Sequence, residues 1–160
     1  MRGENREYYM TYRFKPDLFT LLITIAVFLI LVTTVVMTMI HDTNSSYWVI
    51  AIIAVIVALT LPHCFVSISI GKGFVKINKV YGSVFIDNIE DISIINKKEV
   101  TMSLRKFGNG GFMGFWGHYY SHKLGNFRVW AINLNQLVLI KTKDGKKYVT
   151  NYPYGLLGKQ

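Results

Sequence analysis

Ten consecutive residues of this 160-residue chain, Gly108-Asn109-Gly110-Gly111-Phe112-Met113-Gly114-Phe115-Trp116-Gly117, hold five glycines and four large apolar side chains. Glycine-rich segments cradle phosphates when their N–H groups converge on an anion and a helix N-terminus follows. A dinucleotide fingerprint starting at Gly108 needs a third glycine at position 113, which is Met, and Gly-Lys-Ser/Thr is absent. No helical pattern follows. The segment reads instead as a glycine-relieved crossing where backbones approach closely. Its side chains Phe112, Met113, Phe115 and Trp116 are candidate contacts with lipid or a partner, because monomers seldom leave such a patch in water. His118 and His122 have the four-residue spacing of two metal ligands on a helix, but no glutamate follows His118 and no carboxylate lies between Glu99 and Asp144. Asp87, Glu90 and Asp91 cluster in one polar break, a pattern of solvated turns. No set of residues reads as catalytic, metal-binding or cofactor-binding, so a non-catalytic protein without cofactor is expected. The single cysteine, Cys64, forbids an intrachain disulfide.

Charge is the clearer signal. The chain carries 18 Lys+Arg against 9 Asp+Glu, a net +9. All of that excess falls after residue 66, in the groups Lys72/Lys76/Lys79, Lys97/Lys98, Arg105/Lys106 and Lys141/Lys143/Lys146/Lys147. Lys72, Lys76 and Lys79 come soonest after the last apolar segment and are candidate contacts with anionic lipid, where each basic residue contributes about 1 kcal/mol. Nucleic acid is not expected as a partner of a domain held beside a membrane.

Two apolar segments must position these residues. Leu18–Ile40 is 23 residues without charge, Pro or Gly; as a helix it is about 35 Å long, more than a hydrocarbon core of about 30 Å. A second segment, 47–66, opens on the interfacial aromatics Tyr47 and Trp48 and ends past Pro62. The connector 41–46 is too short for anything but an antiparallel helical pair. Arg2, Arg6, Arg13 and Lys15 precede the first segment and Lys72, Lys76 and Lys79 follow the second, while the connector has only Asp42. The positive-inside rule then puts both termini in the cytoplasm of a two-pass inner-membrane protein. The expected organisation is a cytoplasmic segment 1–17, spans 18–40 and 47–66, an external loop 41–46 and a cytoplasmic domain 67–160.

That domain alternates with period two. Strands are predicted at Val66–Ile70, Phe74–Tyr81, Val84–Ile86, Ile92–Asn96, Asn126–Leu134, Leu137–Thr142 and Lys147–Tyr152, with Asp144-Gly145 as a hairpin turn. No ten-residue stretch has a helical period. A mostly antiparallel barrel or sandwich of about seven strands follows.

The order of these features carries a resemblance. A membrane hairpin and four β segments precede Arg105-x-x-Gly108-x-Gly110, then Gly114 and Gly117, then Leu124-Gly125-x-Phe127, an Asp-Gly hairpin and Tyr-Val-x-Asn-Tyr-Pro. The chain resembles the bacterial pleckstrin-homology-like (PH-like) domains of small membrane proteins over about 67–153. The resemblance implies a bent seven-stranded barrel, normally closed by a C-terminal helix, and no catalytic residues. Only seven residues follow Pro153, so that helix is expected to be short or missing, with a single turn, a second copy or the membrane closing the barrel. The expected role is an adaptor or scaffold contacting partner proteins and anionic lipid at the cytoplasmic face, with a homo-oligomer among the expected partners. The rival roles are an accessory subunit of a transporter or channel and, less well supported, a membrane enzyme.

Overall fold

A computed structural model describes residues 8–40 and 46–157. The chain begins with a strand, β1 (Tyr8–Tyr12), then enters α1 (Leu18–Ile40) and α2 (Ser46–Thr60). The Asp17 carboxylate caps α1 by accepting from the Thr20 N–H at 2.9 Å. With no polar stripe to separate faces, α1 buries only Thr20 fully and leaves most of its apolar side chains exposed. It is the one described helix long and apolar enough, by length and composition, to cross a membrane. The connector expected at 41–46 falls, but for Ser46, outside the described residues.

The second apolar segment corrects the sequence reading. α2 has fifteen residues and passes into a 3₁₀ turn at Leu61–His63, where Pro62 sits in the first turn and cannot donate a helical bond. Cys64 is already extended, and Phe65 and Val66 belong to a strand rather than to a span. Two full-length spans are therefore not what the helices themselves display.

Nine further strands follow: β2 (Phe65–Gly71), β3 (Phe74–Lys79), β4 (Ser83–Ile86), β5 (Ile89–Ile94), β6 (Leu104–Gly111), β7 (Gly114–Ser121), β8 (Gly125–Ala131), β9 (Leu137–Thr142) and β10 (Lys147–Asn151). A short helix, α3 (Lys97–Thr101), capped by the Asn96 side chain, links β5 to β6. The strands form one sheet in the order β1-β2-β3-β4 and another in the order β5-β9-β10-β8-β7-β6. Neighbours are antiparallel except β8 and β10, which run parallel.

The two sheets face each other across a core built from Ile68, Ile70, Val75, Ile77 and Ile86 on one side and Trp116, Trp130, Val138, Ile140 and Tyr148 on the other. The six-stranded sheet is buried on its second face as well, where Phe115, Tyr119, Phe127, Val129, Leu139 and Val149 pack with Val100 of α3. Double burial explains why β9 reads Leu-Val-Leu-Ile without alternation. At the end of the described residues a 3₁₀ turn at Tyr154–Leu156 lays Tyr154, Leu156 and Leu157 on the core, and Tyr12 and Phe14 close it from the N-terminal side.

Candidate functional site

The direction of each strand sorts the domain into two ends. β1 runs toward α1, and β2 runs away from the α2 exit. Tyr12 pairs with Ile68 and Tyr8 with Gly71, so the strand before the helices lies beside the strand after them. Phe65 pairs with Lys79, and the following turn is tied to the helix exit by bonds from Val80 N–H to the Cys64 carbonyl and from Tyr81 N–H to the Pro62 carbonyl, 3.0 and 3.2 Å. Tyr81 is 79% exposed there. In the other sheet, the tip of the β6–β7 hairpin lies at the same end, against α1. At that end too, Asn133, after β8, donates from Nδ2 to the Lys15 carbonyl at 2.6 Å.

The opposite end lies about 20 Å away, six strand residues at roughly 3.3 Å each. Lys72 sits there, on the turn joining Gly71 to Phe74, whereas Lys79 is beside the helix exit and Lys76 lies between them. The three lysines expected to meet lipid together are thus spread along one strand pair. The β9–β10 turn, with Lys143 and Lys146, and the β7–β8 turn, with Lys123, also occupy the far end. In the β9–β10 turn, hydrogen bonds from Lys146 and Thr142 hold the Asp144 carboxyl at about 2, below its ordinary range.

The glycine-rich segment forms the β6–β7 hairpin. Gly108 and Gly117 face each other across it with φ of +118° and +135°. A Cβ on Gly108 would lie 2.1 Å from the Trp116 carbonyl oxygen, and one on Gly117 would lie 2.1 Å from the Phe107 carbonyl oxygen. The pair allows a crossing too close for any other residue. Gly110 leaves room for the Arg105 guanidinium, which folds back along β6 and meets Tyr119. Burial pushes the Tyr119 hydroxyl up, and Arg105 partly offsets this. That hydroxyl donates to the Asn109 carbonyl at 3.0 Å. Gly114 packs its backbone against Ala131, while Gly125 only begins β8 with a positive φ.

The four apolar candidates separate. Phe115 and Trp116 point to opposite faces of the six-stranded sheet and are 7% and 8% exposed. They are core residues, a correction to their reading as surface contacts: alternation along β7 turns one to each buried face of the sheet. Trp116 stacks on His63 at the α2 exit, ring centroids 4.6 Å apart. Phe112 and Met113 remain half-buried at the hairpin tip. The Phe112 ring lies 5.8 Å from that of Phe28, Gly111 abuts Ile23, and the Met113 N–H donates to Thr24 Oγ1 at 2.9 Å. Thr24 in turn donates to the Thr20 carbonyl at 2.7 Å.

His118 lies on β7 and His122 just past it, so their spacing separates them by about 13 Å along a strand. Among the described residues no three His, Cys, Asp or Glu side chains converge on a point that could hold a metal. Residues that the sequence reading passed over include Tyr81 and Phe107, which lie exposed on a turn and a strand with no motif to single them out.

The fold defines a class: a small two-sheet β module that follows apolar helices. The bacterial PH domain family model matches residues 66–151, more than half of the chain. The chain belongs to that family, whose domains are generally non-catalytic modules that bind lipids or proteins. No curated protein matches the chain, and no solved structure does.

Proposed function

We propose that this protein is a two-pass membrane anchor for a PH-like module, with both termini and the β domain on the cytoplasmic side, acting as an adaptor between anionic lipid and protein partners. The pairing of β1 with β2 carries the reading. It requires the start of α1 and the end of α2 to leave the domain side by side, as two crossings of opposite sense do. With its 3₁₀ extension, α2 reaches about 28 Å, close to a hydrocarbon core of about 30 Å. The Lys and Arg bias on the domain side sets the orientation.

The division of charge gives the two ends different tasks. Lys79, beside the helix exit, and the Arg105 guanidinium, which reaches from the start of β6 to Gly110, meet anionic headgroups. Lys72, Lys123, Lys143 and Lys146 face away and suit an acidic protein surface. Lipid analysis of the full-length protein extracted with its surrounding bilayer in polymer-bounded discs tests the first task. The anionic fraction is expected to exceed that of the bulk membrane and to fall back to it in Lys79→Glu/Arg105→Glu, while Lys72→Glu leaves it unchanged. Equal lipid composition in all three proteins would refute the lipid-contact role.

A further inference from the structure

We infer that the end of the β6–β7 hairpin, with Phe112 and Met113 at its tip, is itself a membrane element: it enters the acyl-chain region of the cytoplasmic leaflet alongside α1. This rests on the reading of α1 as a span and adds a second, non-helical insertion to it. Two independent rulers give the depth. Along α1, the tip meets Ile23, Thr24 and Phe28, which lie about 7 to 15 Å below Leu18 at 1.5 Å per residue. Leu18, Phe19 and Leu22, in the first turns of that helix, are 56–71% exposed, so lipid that covers them surrounds the tip as well. Along the hairpin, Trp116 stacks on His63 at the α2 exit, and the turn is three to four residues further, about 10 to 13 Å. Both helices place the tip at the same depth.

The chemistry of the segment suits that place. No ionisable side chain occurs from Phe107 to Gly117. The nearest charge, the Arg105 guanidinium, stops at Gly110, at the height of the headgroups, with Phe112 and Met113 beyond it. Amphipathic elements bury their apolar face about 5 to 10 Å past that boundary. Non-helical backbone at this depth must be covered by protein, and α1 supplies the cover: Ile23 packs on Gly111, and the Thr20–Thr24 relay receives the Met113 N–H. Met113 holds φ of +53° in that bond, a conformation that costs a non-glycine residue energy and that Thr24 fixes.

The test uses the full chain with Cys64→Ala, reconstituted in liposomes of phosphatidylcholine and phosphatidylglycerol. Nitroxides are placed singly at Phe112→Cys and Met113→Cys, at Leu29→Cys on the exposed face of α1, and at Lys72→Cys. Relative accessibility to oxygen and to a nickel chelate reports depth. The tip positions are expected to match position 29 and to differ from position 72 by several-fold. Tip labels as accessible to nickel as position 72, with position 29 in lipid, would overturn this proposal alone; position 29 in water would overturn the span and the proposal together. Phosphatidylcholine carrying a diazirine in its acyl chain keeps the unmodified chain in the experiment. Photoadducts are expected on Phe112 or Met113, and adducts confined to α1 and α2 would refute insertion.

Discussion

Adding one methyl group at Gly108 separates the role of the glycine crossing from ordinary turn chemistry. The new Cβ meets the Trp116 carbonyl oxygen at 2.1 Å and the Gly117 Cα at 2.6 Å. Ordinary contact begins near 3.4 Å, so β6 and β7 must part by about 1.3 Å where they are paired. Backbone cannot swing away as a side chain can. The φ of +118° adds a strain of about 1–3 kcal/mol for any L side chain. Two ladder bonds lost beside it cost about 1 kcal/mol each. Gly108→Ala is therefore expected to cost about 3–5 kcal/mol, a large part of the 5–15 kcal/mol that holds a typical protein together. Gly73→Ala is the matched control: φ is +75° and nothing lies within 4 Å, leaving only the left-handed penalty of about 1–2 kcal/mol. Thermal unfolding of the full-length protein in detergent reads both through Trp116 and Trp130, two core fluorophores. At about 2–4 °C per kcal/mol, Gly108→Ala should melt roughly 6–20 °C below the parent and Gly73→Ala roughly 2–8 °C below. Equal shifts for the two variants would refute the close crossing.

Three further outcomes follow from the same geometry. Asn151, wholly buried, accepts from the Ile132 N–H at 2.8 Å and donates to Asn133 Oδ1 and to the Asn135 carbonyl at 2.9 and 2.6 Å. Asn151→Leu strands these partners at about 1–3 kcal/mol each, so a melting temperature within a degree of the parent would show that the network is dispensable. Deleting residues 2–12 removes β1 and bares the edge of β2. Lower stability and concentration-dependent self-association are expected, since open edges pair, and sedimentation of the detergent-solubilised chain checks this. For Asp144 the folded value of about 2 lies below the ordinary 3.8. Its contribution is present above the unfolded value and is lost as pH falls from about 4 through 2. A carboxyl-carbon NMR titration should show that low midpoint, and a midpoint near 3.8 would discount the bonds to Lys146 and Thr142.

Where local pattern and tertiary setting agree, the residues alone told the story. β3, β9 and β10 lie close to the strands expected from apolar runs and the Asp144-Gly145 turn, and α1 matches its 23-residue apolar segment. β1 was hidden because Tyr8–Tyr12 acquires its partner only after both helices have turned the chain back. The β6–β7 hairpin was hidden because glycine lacks the side chain that marks a strand face, so Phe115 and Trp116 looked like a surface patch. β5 begins three residues early because Ile89 pairs through a register shift that a strict alternation would not allow. The spread of Lys72, Lys76 and Lys79 along a strand pair is likewise a property of pairing direction, which composition does not contain.

The most direct test of the account joins topology to strand pairing in one measurement. In the full chain with Cys64→Ala, Thr11→Cys and Ser69→Cys replace a cross-strand pair whose hydroxyl oxygens lie 2.9 Å apart, and a protease site is inserted at position 44. Right-side-out membrane vesicles are oxidised and then treated with protease from outside. The expected result is complete cleavage, with the two fragments held together on a non-reducing gel and released by reductant. Fragments that separate without reductant would contradict the β1–β2 closure, and a site cut only after the vesicles are opened would contradict the two-pass orientation.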